Sequence, residues 1–212
     1  MMIQTIVGGM NPNSSILPQV QVPQRSGQLG DVILSELQPK YYEQGYRGNI
    51  YNVAMQSPTY LSDQVNVIYN GLCLSNPLTS GVNVALLKAG YAFVDVPAQS
   101  ASIGLMVGYS TVMNNVYTTT IAGNPVIYGS NTQAFAVVNT TCQPLNSIPT
   151  PVYIFSQVGN GAISNQMIYG SALVNLDGSI ILAPGAYVAF YSTMTTNTNA
   201  FIGSFVWEEI PF

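Results

Sequence analysis

The sequence predicts an all-β protein, an antiparallel β-sandwich behind an extended N-terminal arm, and three observations carry that prediction. Beyond about residue 49 the chain breaks into short runs rich in Val, Ile, Tyr, Phe and Thr. Turn residues separate these runs at the spacing expected of a sandwich or barrel. No stretch in that part keeps a helical period. Residues 1–30, by contrast, set Pro12, Pro18 and Pro23 among Asn, Gln and Ser, with isolated Ile16, Leu17, Val20 and Val22 and neither period. Proline spacing of that kind favours extended chain with no core of its own.

In order along the chain, residues 1–48 read as the arm and 49–212 as the β domain. The apolar residues of the arm recur too often for a pure spacer, so it is expected to lie over a neighbouring subunit. Asp31 follows Gly30 at an N-cap position and Pro39 ends the run, which predicts a helix of one or two turns over 31–37. The tyrosine-rich stretch 39–48 is read as the hinge. Strands are predicted at 50–55, 65–74, 82–88, 91–96, 101–109, 134–141, 152–158, 167–176, 179–182, 186–193 and 201–209. Phe201, Phe205 and Trp207 share one face of the last strand, and Ala186–Ser192 is apolar on both faces. Asp177-Gly178 predicts a hairpin turn, Pro184-Gly185 a tight turn before the next strand, and Asn160-Gly161 a further hairpin.

Charge sets the next constraint. With 4 Lys+Arg and 8 Asp+Glu in 212 residues, charged side chains are 6% of the chain, against roughly 25% in an average soluble domain. A surface so poor in charge needs neutral Asn, Gln, Ser and Thr to stay wet, or partners to cover it. A homo-oligomer is therefore expected. Arg25, Asp31, Glu36, Lys40, Glu43 and Arg47 place six of the twelve charges in residues 25–47, and none falls between Asp95 and Asp177. No row of cations exists to neutralise phosphates or anionic lipid, so neither nucleic acid nor a membrane surface is an expected partner. No apolar run approaches the 18 or so residues of a transmembrane helix. The first basic residue is Arg25, so no secretory signal is expected and the chain is expected to be released into the cytoplasm where it is made.

The inventory for catalysis is thin. There is no His, which removes the usual general base, metal ligand and triad member. No nucleophile elbow, P-loop or acidic metal-binding loop occurs. A carboxylate pair would have to come from Asp63, Asp95, Asp177, Glu208 and Glu209. Asp177 is accounted for by its turn, and adjacent Glu208 and Glu209 point to opposite faces of a strand. The protein is expected not to be an enzyme, with no catalytic, metal or cofactor site. Cys73 and Cys142 lie in apolar, strand-like surroundings and read as small buried hydrophobes, although spacing leaves a disulfide open. The 14 Tyr suit cores and subunit contacts, or less readily a glycan platform. Gly104 and Gly108 have the spacing of a helix-dimerisation motif but lie on a predicted strand, where that motif has no meaning.

Four segments carry a resemblance. They are 39–49, Leu86-Leu87-Lys88-Ala89-Gly90-Tyr91-Ala92-Phe93, 175–189 and Phe205-Val206-Trp207-Glu208-Glu209-Ile210-Pro211. From about residue 39 to the C-terminus the chain resembles a group of tailed-bacteriophage virion proteins encoded among head-assembly genes. That resemblance implies a jelly-roll type of sandwich acting as a capsid decoration (cement) protein on the virion surface, made in the host cytoplasm. It further implies self-association, a trimer above other states, and contact with the major capsid protein or other virion proteins. No functional residue transfers with it. The rival expectation is a receptor- or glycan-binding module of a tail fibre or spike on the same fold class.

Overall fold

A computed structural model of the chain describes residues 41–61, 69–94, 101–109, 117–142, 149–158, 171–193 and 201–212. The chain divides near residue 42 into two units, and the described residues from Glu43 on belong to the second. Residues 1–40 of the predicted arm, the helix at 31–37 among them, and the Asn160-Gly161 turn lie outside the described residues.

Among the described residues one short helix, α1 (Tyr42–Tyr46), is followed by eleven strands. These are β1 (Ile50–Ala54), β2 (Tyr69–Ser75), β3 (Val82–Phe93), β4 (Ala101–Tyr109), β5 (Tyr117–Ile121), β6 (Asn124–Pro125), β7 (Val137–Cys142), β8 (Thr150–Val158), β9 (Ser171–Leu182), β10 (Ala186–Ser192) and β11 (Phe201–Pro211). They form two antiparallel sheets, β6-β1-β11-β3-β9 and β5-β7-β2-β10-β4-β8, packed face to face as a β-sandwich. With β5–β7 set aside, the other eight strands read β1-β11-β3-β9 against β2-β10-β4-β8. The segment β5–β7 widens both sheets on one side. α1 lies in the stretch expected to be a hinge, and is tied to β1 by Asn49 N donating to Gln44 O at 3.0 Å and Asn49 Nδ2 to Gln44 Oε1 at 3.0 Å.

The core follows from the period of two. In β11, Phe201, Gly203, Phe205, Trp207 and Glu209 are buried, while the residues between them are only half covered. Phe205 stacks on Phe190 of β10 with centroids 4.9 Å apart, and Phe190 meets Phe201 edge-on at 5.1 Å. These rings bridge the two layers, and truncating one to Ala would cost about 3–5 kcal/mol. Tyr69 reaches into the same core and donates its hydroxyl to Phe190 O at 2.7 Å, so its polar end is satisfied. Strand β10 is buried on both faces over Tyr187–Phe190, in line with its doubly apolar sequence.

Several predicted elements need correction. The strands expected at 82–88 and 91–96 are one strand, β3. Leu87 is an extra residue against β11, since Trp207 pairs with Leu86 and Val206 with Lys88. This bulge resets the alternation, so that Val82, Val84 and Leu86 before it and Ala89, Tyr91 and Phe93 after it all reach the core. Lys88 therefore sits inside a central strand and not at a strand end.

Asp177-Gly178 is not a hairpin either. Strand β9 pairs with β3 on both sides of it, Leu86 with Ile180 and Lys88 with Asn175, so Leu176–Ser179 bulges out opposite Leu87. Asp177 (φ 48°) and Gly178 (φ 80°) adopt the left-handed conformations that this dipeptide favours, but β3 is long enough to pair with both halves and no reversal occurs. The turn at Pro184-Gly185 is as predicted. Ala186 N donates to Ala183 O at 2.9 Å and Gly185 has φ 90°, the geometry of a type II turn. Strands β5 and β6 have no counterpart in the prediction.

Candidate functional site

The best-defined polar constellation among the described residues is built around Glu209. Alternation along β11 turns Trp207 and Glu209 inward together, and Glu209 is only 4% exposed. Its Oε1 accepts the backbone N–H of Ala136 at 2.9 Å and the indole N–H of Trp207 at 3.2 Å, and its Oε2 accepts the N–H of Phe135 at 3.0 Å. Two consecutive amides and an indole thus surround one carboxylate, which satisfies a charge that burial would otherwise penalise heavily. Tyr51 of β1 stacks on Trp207 at 5.9 Å and donates its hydroxyl to Gln133 O at 3.3 Å. Burial, and secondarily the negative Glu209, raise the Tyr51 phenol above its ordinary pKa.

The cluster fastens the β6–β7 connection onto the first sheet. Val126 N donates to Ile50 O at 2.9 Å at one end of that connection, and the Glu209 clamp holds the other. Just before β6, between β5 and β6, Gly123 is required, because a Cβ would stand 2.8 Å from the Trp207 ring. Chemically the arrangement holds a backbone segment. Each oxygen of the carboxylate is already engaged, and among the described residues no second carboxylate takes part in the cluster.

The other sequence candidates take no part in this cluster where they are described. Asp63 and Asp95 lie outside the described residues. Asp177 occupies the bulge of β9 on the surface. Glu208 points away from Glu209, half covered on the outer face, where burial raises its carboxyl above the ordinary carboxylate range. No group of three or more His, Cys, Asp or Glu residues able to hold a metal occurs among the described residues. Cys73 is a free, fully buried thiol 3.8 Å from Ser75 Oγ, as the small-hydrophobe reading expected. Among the described residues no helix is long and apolar enough to cross a membrane.

The tyrosines divide. Tyr51, Tyr69, Tyr91 and Tyr187 are core residues. Tyr128 is 78% exposed and accepts a hydrogen bond from Asn52 Nδ2 at 3.4 Å, beside Asn124, which pairs with Asn52 across β1 and β6. On the outer face of the first sheet a shallow trough of about 430 Å³ runs over Ala54, Ser204 and Gly90 between Ile202 and Leu173. Its lining includes Ser204, whose hydroxyl donates to Gly90 O at 3.4 Å, and Ser171. Neither the clamp nor the trough was visible in a sequence motif. Continuing the inward parity of Phe205 and Trp207 by one step does place Glu209 inside. Comparison with family models, with curated proteins and with solved structures gives no significant match.

Proposed function

We propose that this chain is a non-enzymatic virion structural protein, a capsid decoration (cement) protein that stabilises the head through contacts between subunits. The observation that carries the reading is the strand order. The order of eight strands, β1-β11-β3-β9 against β2-β10-β4-β8, supports a sandwich of jelly-roll type, a fold common among viral capsid domains. The resemblance of 39–49, 86–93, 175–189 and 205–211 to phage virion proteins points the same way, as does a chain with only 12 charged residues in 212. The buried Glu209 supports a structural role, because its oxygens serve three N–H donors in place of a substrate.

On this reading the protein self-associates, a trimer above other closed states, and sits on the capsid surface against the major capsid protein. Immunogold labelling and cryo-electron microscopy of intact particles test it. Labelling over the head with density at fixed symmetry sites is expected, and labelling confined to the tail would sink the proposal. A second reading, a glycan- or receptor-binding module, draws on the exposed Tyr128 beside Asn52 and Asn124, an aromatic face flanked by amides. A glycan array on which Tyr128→Ala abolishes a specific signal would favour it.

A further inference from the structure

Tyr128 is the most exposed large apolar side chain among the described residues, at 78%. Single exposed rings are ordinary, but this one stands on a segment that is pinned almost throughout. Ser130 N donates to Ile127 O at 3.1 Å and Gly129 has φ 90°, so 127–130 is a type II turn with Tyr128 at its first corner. Before the turn, Val126 N donates to Ile50 O. After it, Thr132 N donates to Ser130 Oγ at 3.2 Å, the Tyr51 hydroxyl donates to Gln133 O, and Glu209 holds the amides of Phe135 and Ala136. The ring itself is fixed at its far end, where the phenol oxygen accepts a hydrogen bond from Asn52 Nδ2 at 3.4 Å. A recognition element ordered in advance loses little entropy when its ligand arrives.

The surroundings of the ring are polar and almost free of charge. Asn52 and Asn124 stand opposite each other on β1 and β6, so their carboxamides share the outer face, and Asn124 is exposed. Asn52 donates to the phenol through Nδ2, which leaves its Oδ1 as an acceptor and the phenolic proton as a donor. Asn131, Thr132 and Gln133, just past the turn, are exposed as well. No charged side chain falls between Asp95 and Asp177 in the sequence. One carboxylate stands close by. Glu208 is opposite Ile50, two residues before Asn52, on the same outer face. Diagonal neighbours of that kind are roughly 7–8 Å apart, so a ligand lying over Asn52 also meets Glu208. All of these residues fall within the described segments 41–61, 117–142 and 201–212.

We propose that the Tyr128 turn is a platform for a neutral saccharide: the C–H face of a pyranose stacks on Tyr128, its hydroxyls bond to Asn52 and Asn124, and Glu208 accepts one hydroxyl while repelling acidic sugars. A carboxamide both donates and accepts, as a sugar hydroxyl does, whereas the centre of a protein contact is more apolar than this. The inference deepens the glycan-binding reading above and rests on it; the decoration reading stands or falls without it.

The test uses the full chain and its Tyr128→Ala, Tyr128→Phe and Glu208→Gln variants. Saturation-transfer NMR is recorded with the methyl glycosides of glucose, galactose and N-acetylglucosamine, and with glucuronate as the acidic probe. Because Tyr128 is so exposed, both of its variants should keep the parent's melting temperature. Transfer to the C–H protons of at least one neutral glycoside is expected. Affinity should fall about tenfold in Tyr128→Ala, which removes the ring. It should fall only about threefold in Tyr128→Phe, which keeps the ring and gives up the phenol's bonds. Glucuronate should show transfer with Glu208→Gln and none with the parent. Absence of transfer to all three neutral glycosides would overturn the platform, as would transfer undiminished in Tyr128→Ala. The reading and the site fail separately, since a glycan-array signal that survives Tyr128→Ala would sustain glycan binding by the chain and overturn its assignment to this turn. A smaller oligomer in Tyr128→Ala, with no saccharide bound by the parent, would make the turn a subunit contact and overturn the proposal.

Discussion

The carboxylate of Glu209 accepts the backbone N–H of Ala136, 73 residues earlier in the chain, at 2.9 Å. That bond, with the one from Phe135, fastens the β6–β7 connection to the last strand of the sandwich, and Trp207 of the same strand supplies a third donor. Replacing Glu209 with Ala would leave the three donors without their acceptor and is expected to cost roughly 3–5 kcal/mol in urea unfolding. Glu209→Gln keeps one acceptor oxygen and should lose less. Amide exchange at Phe135 and Ala136 should accelerate in both variants while β10 stays protected. Unchanged exchange at those two amides would show that the clamp does not hold the β6–β7 connection.

Alkaline pH tests the neighbour of that clamp. The Tyr51 phenol is raised by burial and by Glu209, so the folded state holds its proton more tightly than the unfolded chain does. Stability is then expected to be level below the unfolded phenol's pKa of about 10 and to fall as pH rises beyond it. Tyr51→Phe should flatten that fall at the loss of about 1 kcal/mol from the bond to Gln133 O. An identical alkaline slope in the variant would remove Tyr51 as its source.

Acid pH reports on Glu208. Burial raises its carboxyl in the folded state, so its contribution is largest when protonated and is lost as pH rises through the folded pKa. Glu208→Gln should therefore be slightly more stable than the parent at pH 7, by a few tenths of a kcal/mol at this half-exposed site, and no more stable at pH 3. With no His in the chain, the melting temperature should change by less than about 10 °C between pH 5.5 and 8.5. Thermal scans across both ranges check the two statements together.

Asn76 ties two connections together, donating from Nδ2 to Val82 O at 2.7 Å and to Leu182 O at 2.9 Å from a site 1% exposed. Asn76→Asp replaces that donor with an oxygen facing two carbonyls. A loss of about 3–5 kcal/mol at pH 7 is expected, partly recovered as pH falls and the carboxyl regains a proton to donate. Stability that does not improve on acidification would contradict this account.

Trypsin can cut only after Arg25, Lys40, Arg47 and Lys88. Lys88 lies inside β3, paired on one side with Val206 and on the other with Asn175, so cleavage there requires the first sheet to open. Limited digestion is expected to leave a product from Gly48 to Phe212 intact. Early cutting after Lys88 would contradict the central place of β3.

What the sequence by itself determined is the class of structure and much of its punctuation. Alternation marked β11, double-sided hydrophobicity marked β10, the span of β4 was predicted to the residue, and Pro184-Gly185 fixed its own turn, because side-chain period and backbone preference are local properties. Parity also carried the inward orientation of Glu209. Only the tertiary structure decided what happens where two local preferences compete. Asp177-Gly178 has the backbone preference of a hairpin and becomes a bulge, because the neighbouring strand is long enough to pair with both flanks. The pattern breaks after Lys88 in sequence yet the strand continues, because the extra residue Leu87 resets which face meets the core. The amides that meet Glu209 belong to a segment 73 residues away, and no local period encodes such a partner. Long-range pairing is chosen by the packing of whole sheets, and that choice becomes definite only when both layers are in place.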